Sequence, residues 1–327
     1  MAKNNKSMQA AKLNKNDEFY TRIEDIEDEI SMHEDYVRQF EGKTVLCNCD
    51  DPEWSNFFLF FRLHFKQLKL KKVIFTHYEM DGSPSYKLEW DGSYIGYDTL
   101  NLVKTPLEGN GDFRSPECVA LLDECDVVVT NPPFSLLREF IGLIVDHKKD
   151  MVIIANEVQC TSKEIFPLFQ SGKLNFGYNH VKEFRTPDGT KKLGTVAWFT
   201  TFKLDKYNEE LPLCCQYEGH EDEYPKYDNY DAIEVNQIRR IPRDYFGVMG
   251  VYGATFLSRF NKEQFEIVGR GGDIEWAKEN IGFFTPPCKE LTDKYKKANK
   301  TWRIQNPYLV KDENAITLNS RIFIRRK

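Results

Sequence analysis

Val127-Val128-Val129-Thr130-Asn131-Pro132-Pro133-Phe134 is the stretch on which the reading of this chain turns. Val127 to Thr130 is a short apolar and β-branched run, the pattern of a strand buried on both faces in a parallel sheet. Two prolines then end it, because neither can donate to a strand ladder. Similar short runs lie on either side, at Thr44 to Cys47, Val73 to Thr76 and Met151 to Ala155. Helical stretches separate them. Residues 22–40 place Ile23, Ile26, Ile30, Val37 and Phe40 near one face, and Trp54 to Leu68, Ser115 to Glu124 and Leu136 to Val145 are further helices. Asp51-Pro52 is expected to open the second of these, with Asp as cap and Pro at the first position. Strands alternating with helices predict an α/β fold with a mostly parallel, doubly covered sheet. Val181 to Phe184 and Thr195 to Phe202 flank Pro187-Asp188-Gly189, and are expected to end that sheet as an antiparallel hairpin.

Charge is unevenly spread over the 327 residues, whose net charge is −6. Residues 1–16 hold Lys3, Lys6, Lys12 and Lys15 and no acid, and read as a disordered basic tail. Residues 204–236 hold ten acids and two bases and read as a connecting loop. Residues 286–327 hold eleven Lys or Arg against four acids, and Arg239, Arg240 and Arg243 form another basic group. The expected organisation is therefore a domain over 17–203, the acidic loop, and a small region over 237–327. Its basic residues, including Lys296 and Lys297, would face a polyanion across a cleft. No stretch approaches the ~18 apolar residues of a membrane span, and the N-terminus lacks the apolar core of a signal peptide. The eight cysteines include no CxxC pair and no accompanying His cluster. Buried thiols in a reducing cytoplasm, with no metal, fit that usage.

The chemistry begins at the loop after the Val127 strand. An exocyclic amino nitrogen on a base is a poor nucleophile, because its lone pair is delocalised into the ring. Acceptors that bind its hydrogens favour a pyramidal nitrogen. The Asn131 side-chain carbonyl and the Pro132 backbone carbonyl are two such acceptors. Pro132 and Pro133 stiffen the residues before them, so both acceptors are aimed in advance. Phe134 offers a stacking face worth ~1–3 kcal/mol per base. The site lies beyond the carboxyl end of a strand, where open α/β sheets bind ligands. A plain strand-ending turn is the competing reading.

Two further loops suggest what supplies the group transferred. Gly109-Asn110-Gly111-Asp112-Phe113 pairs an acid with an aromatic, which suits an adenine amino group and ring, although the same residues also suit an ordinary turn. Cys47-Asn48-Cys49-Asp50-Asp51-Pro52 follows the first strand without the usual glycines. Asp50 and Asp51 would repel a phosphate but could hold a methionine ammonium or ribose hydroxyls. That balance favours S-adenosylmethionine over ATP or NAD.

These segments resemble the EcoRI-type adenine-specific DNA methylases. The likeness covers Asn16 to Thr21, Cys47 to Pro52 with Ser55 to Phe58, Gly111 to Ser115, Asn131 to Ser135, Tyr227 to Val235, Phe265 to Gly269 and Arg321 to Lys327. It implies a Rossmann-like class I methyltransferase fold in which a Gly-poor first loop is normal. It implies that Phe19, Tyr20, Thr21, Asp112 and Phe113 help hold S-adenosylmethionine and that Asn131 to Phe134 form the catalytic loop. Glu79, just past the second strand, is placed like a ribose-binding acid, and Asn48 belongs to the first loop. Double-stranded DNA becomes the expected partner, methylated at adenine N6 after base flipping. A cognate restriction endonuclease would act without direct contact. The segment Met249 to Phe256 is less like the family around Tyr252 to Ala254. Other readings remain: an RNA base or a glutamine amide as acceptor, an idle DNA-binding scaffold, or a Pro286-Pro287-Cys288 nucleophile.

Overall fold

The structure, a computed structural model, describes residues 20–53, 55–79, 84–93, 102, 104–186, 189–283, 305–311 and 314–327. The expected basic tail over 1–16, Phe19, Lys296, Lys297 and the Pro286-Pro287-Cys288 stretch lie outside the described residues. The chain divides into two units, Met1–Glu157 with Leu174–Leu204, and Val158–Lys173 with Asp205–Lys327.

The strands of the first unit are β1 (Tyr20–Thr21), β2 (Thr44–Cys47), β3 (Lys72–Thr76), β4 (Tyr86–Trp90), β5 (Lys104–Pro106), β6 (Val127–Thr130), β7 (Asp150–Asn156), β8 (Asn175–His180), β9 (Glu183–Thr186), β10 (Gly189–Lys192) and β11 (Val196–Thr200). Eight of them form one sheet in the order β5-β4-β3-β2-β6-β7-β11-β8. At its centre β3, β2, β6 and β7 are parallel neighbours, with Val45 opposite both Val73 and Val127, and Val128 opposite Met151. Only β4 and β11 run against the rest, because β8 and β5 are each restored to the common direction by two antiparallel pairings. This is the mostly parallel α/β sheet of a Rossmann-like fold. Every residue of β2 and β6 is buried, which is why their sequences are continuously apolar rather than alternating.

The helices of this unit are α1 (Ile23–Ile26), α2 (Glu34–Phe40), α3 (Asn56–His64), α4 (Pro116–Glu124) and α5 (Leu137–Asp146). The single helix expected over 22–40 is broken. A π turn over Glu27–Ser31 follows α1, and extended His33 caps α2. The wider turn accompanies an inward Glu29. Its buried carboxylate accepts from the backbone N–H groups of Tyr178, at 2.9 Å, and Asn179, at 2.7 Å, and from the Tyr36 hydroxyl. Apolar periodicity is blind to such a buried acid. Helix α3 is capped by Ser55, whose hydroxyl accepts from Phe57 N–H, and not by Asp51. The Asp51 carboxylate instead accepts from Glu53 N–H in a tight turn. Ser115 caps α4, with Pro116 at its start.

The sheet ends on an antiparallel pair as expected, β11 beside β8, but the strands that flank residues 187–188 are not that pair. Across residues 187–188, β9 pairs with β10, and β1 adds to the other side of β9. The five residues of β11 are all buried and insert between β7 and β8, whereas β10 is wholly exposed. Apolarity on both faces sent β11 into the large sheet and left polar β10 outside it.

The second unit has helix α6 (Phe166–Gln170), strands β12 (Ile233–Glu234) and β13 (Met249–Tyr252), helix α7 (Gly253–Leu257), strand β14 (Phe265–Arg270), helix α8 (Ile274–Asn280), and strands β15 (Tyr308–Lys311), β16 (Asn314–Thr317) and β17 (Arg321–Arg326). Its main sheet has the order β12-β13-β17-β14, and β15 and β16 form a separate hairpin. The acidic segment read as a connecting loop supplies core here. Tyr227, Tyr230 and Ala232 are buried with Ala277, Ile281 and Phe323. Net charge hid these tyrosines, since a locally acidic segment can still face its aromatic rings inward. Arg321 forms a buried pair with Glu234, which also accepts from Tyr227.

Among the described residues no helix is long and apolar enough to cross a membrane. Cys47, Cys49, Cys118, Cys125, Cys160, Cys214 and Cys215 are free thiols.

Candidate active site

Parallel β2, β3 and β6 direct their carboxyl ends to one edge of the sheet, so the loops that follow them converge. Asn48, Asp50 and Asp51 follow β2, Glu79 follows β3, and Asn131 to Phe134 follow β6. The turn Gly109 to Asp112 joins them through hydrogen bonds. Glu79 N–H donates to the Asn110 carbonyl at 2.9 Å, and the Asn110 amide returns to the Glu79 carbonyl at 3.3 Å. Gly111 has φ +81°, and a Cβ there would sit 1.9 Å from the His77 carbonyl oxygen. Only glycine permits both that backbone angle and that approach.

Three carboxylates expected to hold a cofactor are thereby grouped. His77 lies between two of them, its Nδ1 2.9 Å from Asp51 and its Nε2 2.8 Å from Glu79. The Asp51 contact lies off the line of a good hydrogen bond, whereas the Glu79 contact is hydrogen-bonded. The His77 ring stacks on Tyr86 at 5.0 Å. The third acid, Asp112, accepts two bonds from the Arg114 guanidinium, at 2.8 and 2.6 Å, and raises its pKa. Phe113 is buried edge-on against Phe140, with the Arg114 guanidinium 5.2 Å from its ring centre. Asn48 is buried beside the Cys49 thiol.

Asp50 is set apart from these acids. One oxygen accepts from Thr130 Oγ1 and, at 3.2 Å, from Asn131 N–H, while the other accepts from Ser55 Oγ at 3.1 Å. Burial is the main cause that pushes its pKa up to about 6, against the opposing pull of those bonds. Burial, with Asp50 as the next contributor, also pushes up the Cys47 and Cys49 thiols.

Thr21 and Phe134 meet through the small sheet. Thr21 pairs with Phe184, whose ring lies edge-on to Phe134 at 6.5 Å. The Thr21 carbonyl accepts from the Asn56 amide at 2.7 Å. The Thr21 hydroxyl is buried with no hydrogen-bond partner among the described residues. Tyr20 lies beside Thr21 in β1. Asn131 is partly buried, and its side-chain oxygen is shielded from solvent.

The expected basic residues belong to the second unit. Arg239 and Arg243 are exposed, and Arg239 donates to Gln237. Arg240 is partly buried in an ion pair with Glu223, so the acidic segment neutralises one of the three. Reading from the sequence missed His77, Ser55, Thr130 and Phe184. For Thr130 the signal was a hydroxyl ending an otherwise aliphatic strand; for His77 it was a titratable residue one position past a strand.

Sheet order, the Asn-Pro-Pro-Phe loop at its carboxyl edge and the neighbouring acids together define a methyltransferase of the Rossmann-like class. The model of the family described as adenine-specific methyltransferase EcoRI matches residues 7–192 and 184–327. The chain belongs to that family, and it is an enzyme. It is 41% identical over 299 residues to Type II methyltransferase M.EcoRI of Escherichia coli, covering 82% of this chain and 90% of that one. It is 40% identical to Type II methyltransferase M.MgeORF184P of Mycoplasma genitalium, covering 79% and 84% of the two chains. With Type II methyltransferase M.MpnI of Mycoplasma pneumoniae the identity is 38%, covering 79% and 83%. No solved structure matches the chain.

Proposed function

We propose that the protein transfers a methyl group from S-adenosylmethionine to the N6 amino group of an adenine flipped out of double-stranded DNA. The observation that supports this most is the Asn131 to Phe134 loop at the carboxyl edge of the sheet, beside a set of acids suited to a cationic donor. The donor's fit rests on chemistry visible in the chain. Asp51, Glu79 and Asp112 offer carboxylates to an ammonium, ribose hydroxyls and an adenine amino group. The Thr21 hydroxyl, buried beside Tyr20 and without a hydrogen-bond partner among the described residues, offers a donor and an acceptor. Asn48 and Phe113 complete the proposed cofactor set. When bound, S-adenosylmethionine supplies an electrophilic methyl group on sulfur.

The chain's own residues then do the rest. Asn131 Oδ1 and the Pro132 carbonyl accept the two amino hydrogens of the adenine and free its lone pair for in-line attack. Phe134 stacks on the base and is itself held by the edge of Phe184. The methylated nitrogen is acidic enough to lose its proton to water, so no side-chain base is required. Flipping costs a few kcal/mol, offset by stacking and by phosphate contacts from exposed Arg239 and Arg243. A role in restriction–modification, with a separate endonuclease, fits the same chemistry.

Single-turnover methylation of duplex DNA by the native chain and by Asn131→Ala tests the reading. A loss of ~10²–10³ in rate with S-adenosylmethionine affinity kept is expected. Near-native turnover by Asn131→Ala would put the chemistry elsewhere.

A further inference from the structure

Asp50 hydrogen-bonds the backbone of the Asn131 loop, and its surroundings differ from those of a ligand-binding carboxylate. A carboxylate has about four acceptor positions. Asp50 uses three of them, on Thr130 Oγ1, Asn131 N–H and Ser55 Oγ. The partners are themselves fixed. Thr130 Oγ1 accepts from Cys49 N–H at 3.2 Å, and Ser55 Oγ accepts from Phe57 N–H at 3.1 Å. Asp50 therefore ties the end of β6 to the loop after β2 and to the start of α3.

The bond to Asn131 N–H has a particular consequence. Pro132 and Pro133 have no N–H, so Asn131 supplies the sole backbone donor of the Asn-Pro-Pro stretch. A hydrogen bond there is the means by which the rest of the fold can grip this backbone by donation. We infer that Asp50 is a positioning residue, which holds Asn131 in place through its backbone N–H, and not a ligand of the methyl donor. This rests on the Asn131 loop being catalytic. Retaining a buried carboxylate whose pKa is pushed up to about 6 is consistent with a place in the fold that needs several acceptors at once.

The test uses the full chain with four substitutions: Asp50→Ala, Asp50→Asn, Thr130→Val and Asn131→Ala. Calorimetry reads S-adenosylmethionine affinity, and single-turnover kinetics on duplex DNA read the chemical step. Asp50→Ala is expected to slow the step about tenfold or more while affinity stays within about threefold. Asp50→Asn keeps an acceptor oxygen and is expected to recover most of the rate. Thr130→Val, near-isosteric and with Asp50 intact, is expected to slow the step with affinity unchanged, so the inference stays testable if Asp50→Ala does not fold. Weakened affinity in both Asp50 variants, with no recovery in Asp50→Asn, would make Asp50 a charge ligand of the donor and overturn the inference. If Asn131→Ala is inactive while Asp50→Ala and Thr130→Val react at the native rate, the loop reading stands and the positioning role falls. If Asn131→Ala itself reacts normally, the loop reading fails and takes this inference with it.

Discussion

Asn131 and Asp112 make opposite demands on the same reaction, and a kinetic split separates them. Loss of Asn131 removes an acceptor that matters in the transition state, so kcat should fall with donor affinity kept. Asp112→Ala should do the reverse. It removes a charge-assisted hydrogen bond worth roughly 1.5–3 kcal/mol, so S-adenosylmethionine affinity should fall about tenfold or more. Unchanged affinity in a folded Asp112→Ala protein, measured by calorimetry, would remove Asp112 from the cofactor set. Both residues were legible in the sequence because their neighbours announce them: prolines after Asn131, glycines before Asp112. His77 was not, since what matters about it is its place between Asp51 and Glu79, which are far from each other in the chain. Asp50 was legible as a site acid but not as a partner of Thr130 and Asn131, a pairing that spans about 80 residues.

At the scale of elements, the turn at Gly111 and the strut at Asp50 each give a stability prediction. Gly111→Ala places a methyl group against the His77 carbonyl, which is backbone and cannot swing away. Strain at such a position costs about 1–3 kcal/mol or more, so the variant should melt several degrees lower and bind S-adenosylmethionine poorly. An unchanged melting temperature would contradict the close approach. For Asp50 the folded pKa is about 6, above the usual carboxylate value. Between about pH 4 and 6 the folded protein holds more protons than the unfolded chain, so this group lowers stability as pH rises. A shift of about two units corresponds to about 3 kcal/mol, fully present above pH 6. The Asp50→Asn variant should therefore gain stability relative to the native chain between pH 4 and pH 7, a difference that urea titrations at the two pH values would read. The central strands were legible because β2 and β6 are buried on both faces and apolar throughout. Elements set by tertiary partners were not: β11 needed two neighbours to explain it, and the π turn at Glu27–Ser31 needed Tyr178 and Asn179.

For the molecule as a whole, the acidic total of −6 does not decide the partner, because the charge is locally divided. Arg240 is already paired with Glu223, whereas Arg239 and Arg243 are exposed. Replacing Arg239 and Arg243 should weaken DNA binding and reduce its salt slope by about one for each phosphate no longer neutralised, with Arg240→Gln changing it less. Equal slopes in all variants would move the phosphate contacts elsewhere. Whole-chain similarity was legible in scattered motifs from Asn16 to Lys327. The burial of Tyr227 and Tyr230 inside an acidic stretch was not, because composition reports charge and not direction. The central claim is the substrate, and one measurement bears on it most directly. Labelled methyl groups are offered from S-adenosylmethionine to a mixture of genomic DNA, total RNA and cell protein, and the labelled products are resolved into nucleosides and amino acids. The account predicts label in DNA as N6-methyladenine, absent with Asn131→Ala. Label in RNA or protein, with no N6-methyladenine in DNA, would contradict it while leaving a methyltransferase with a different acceptor.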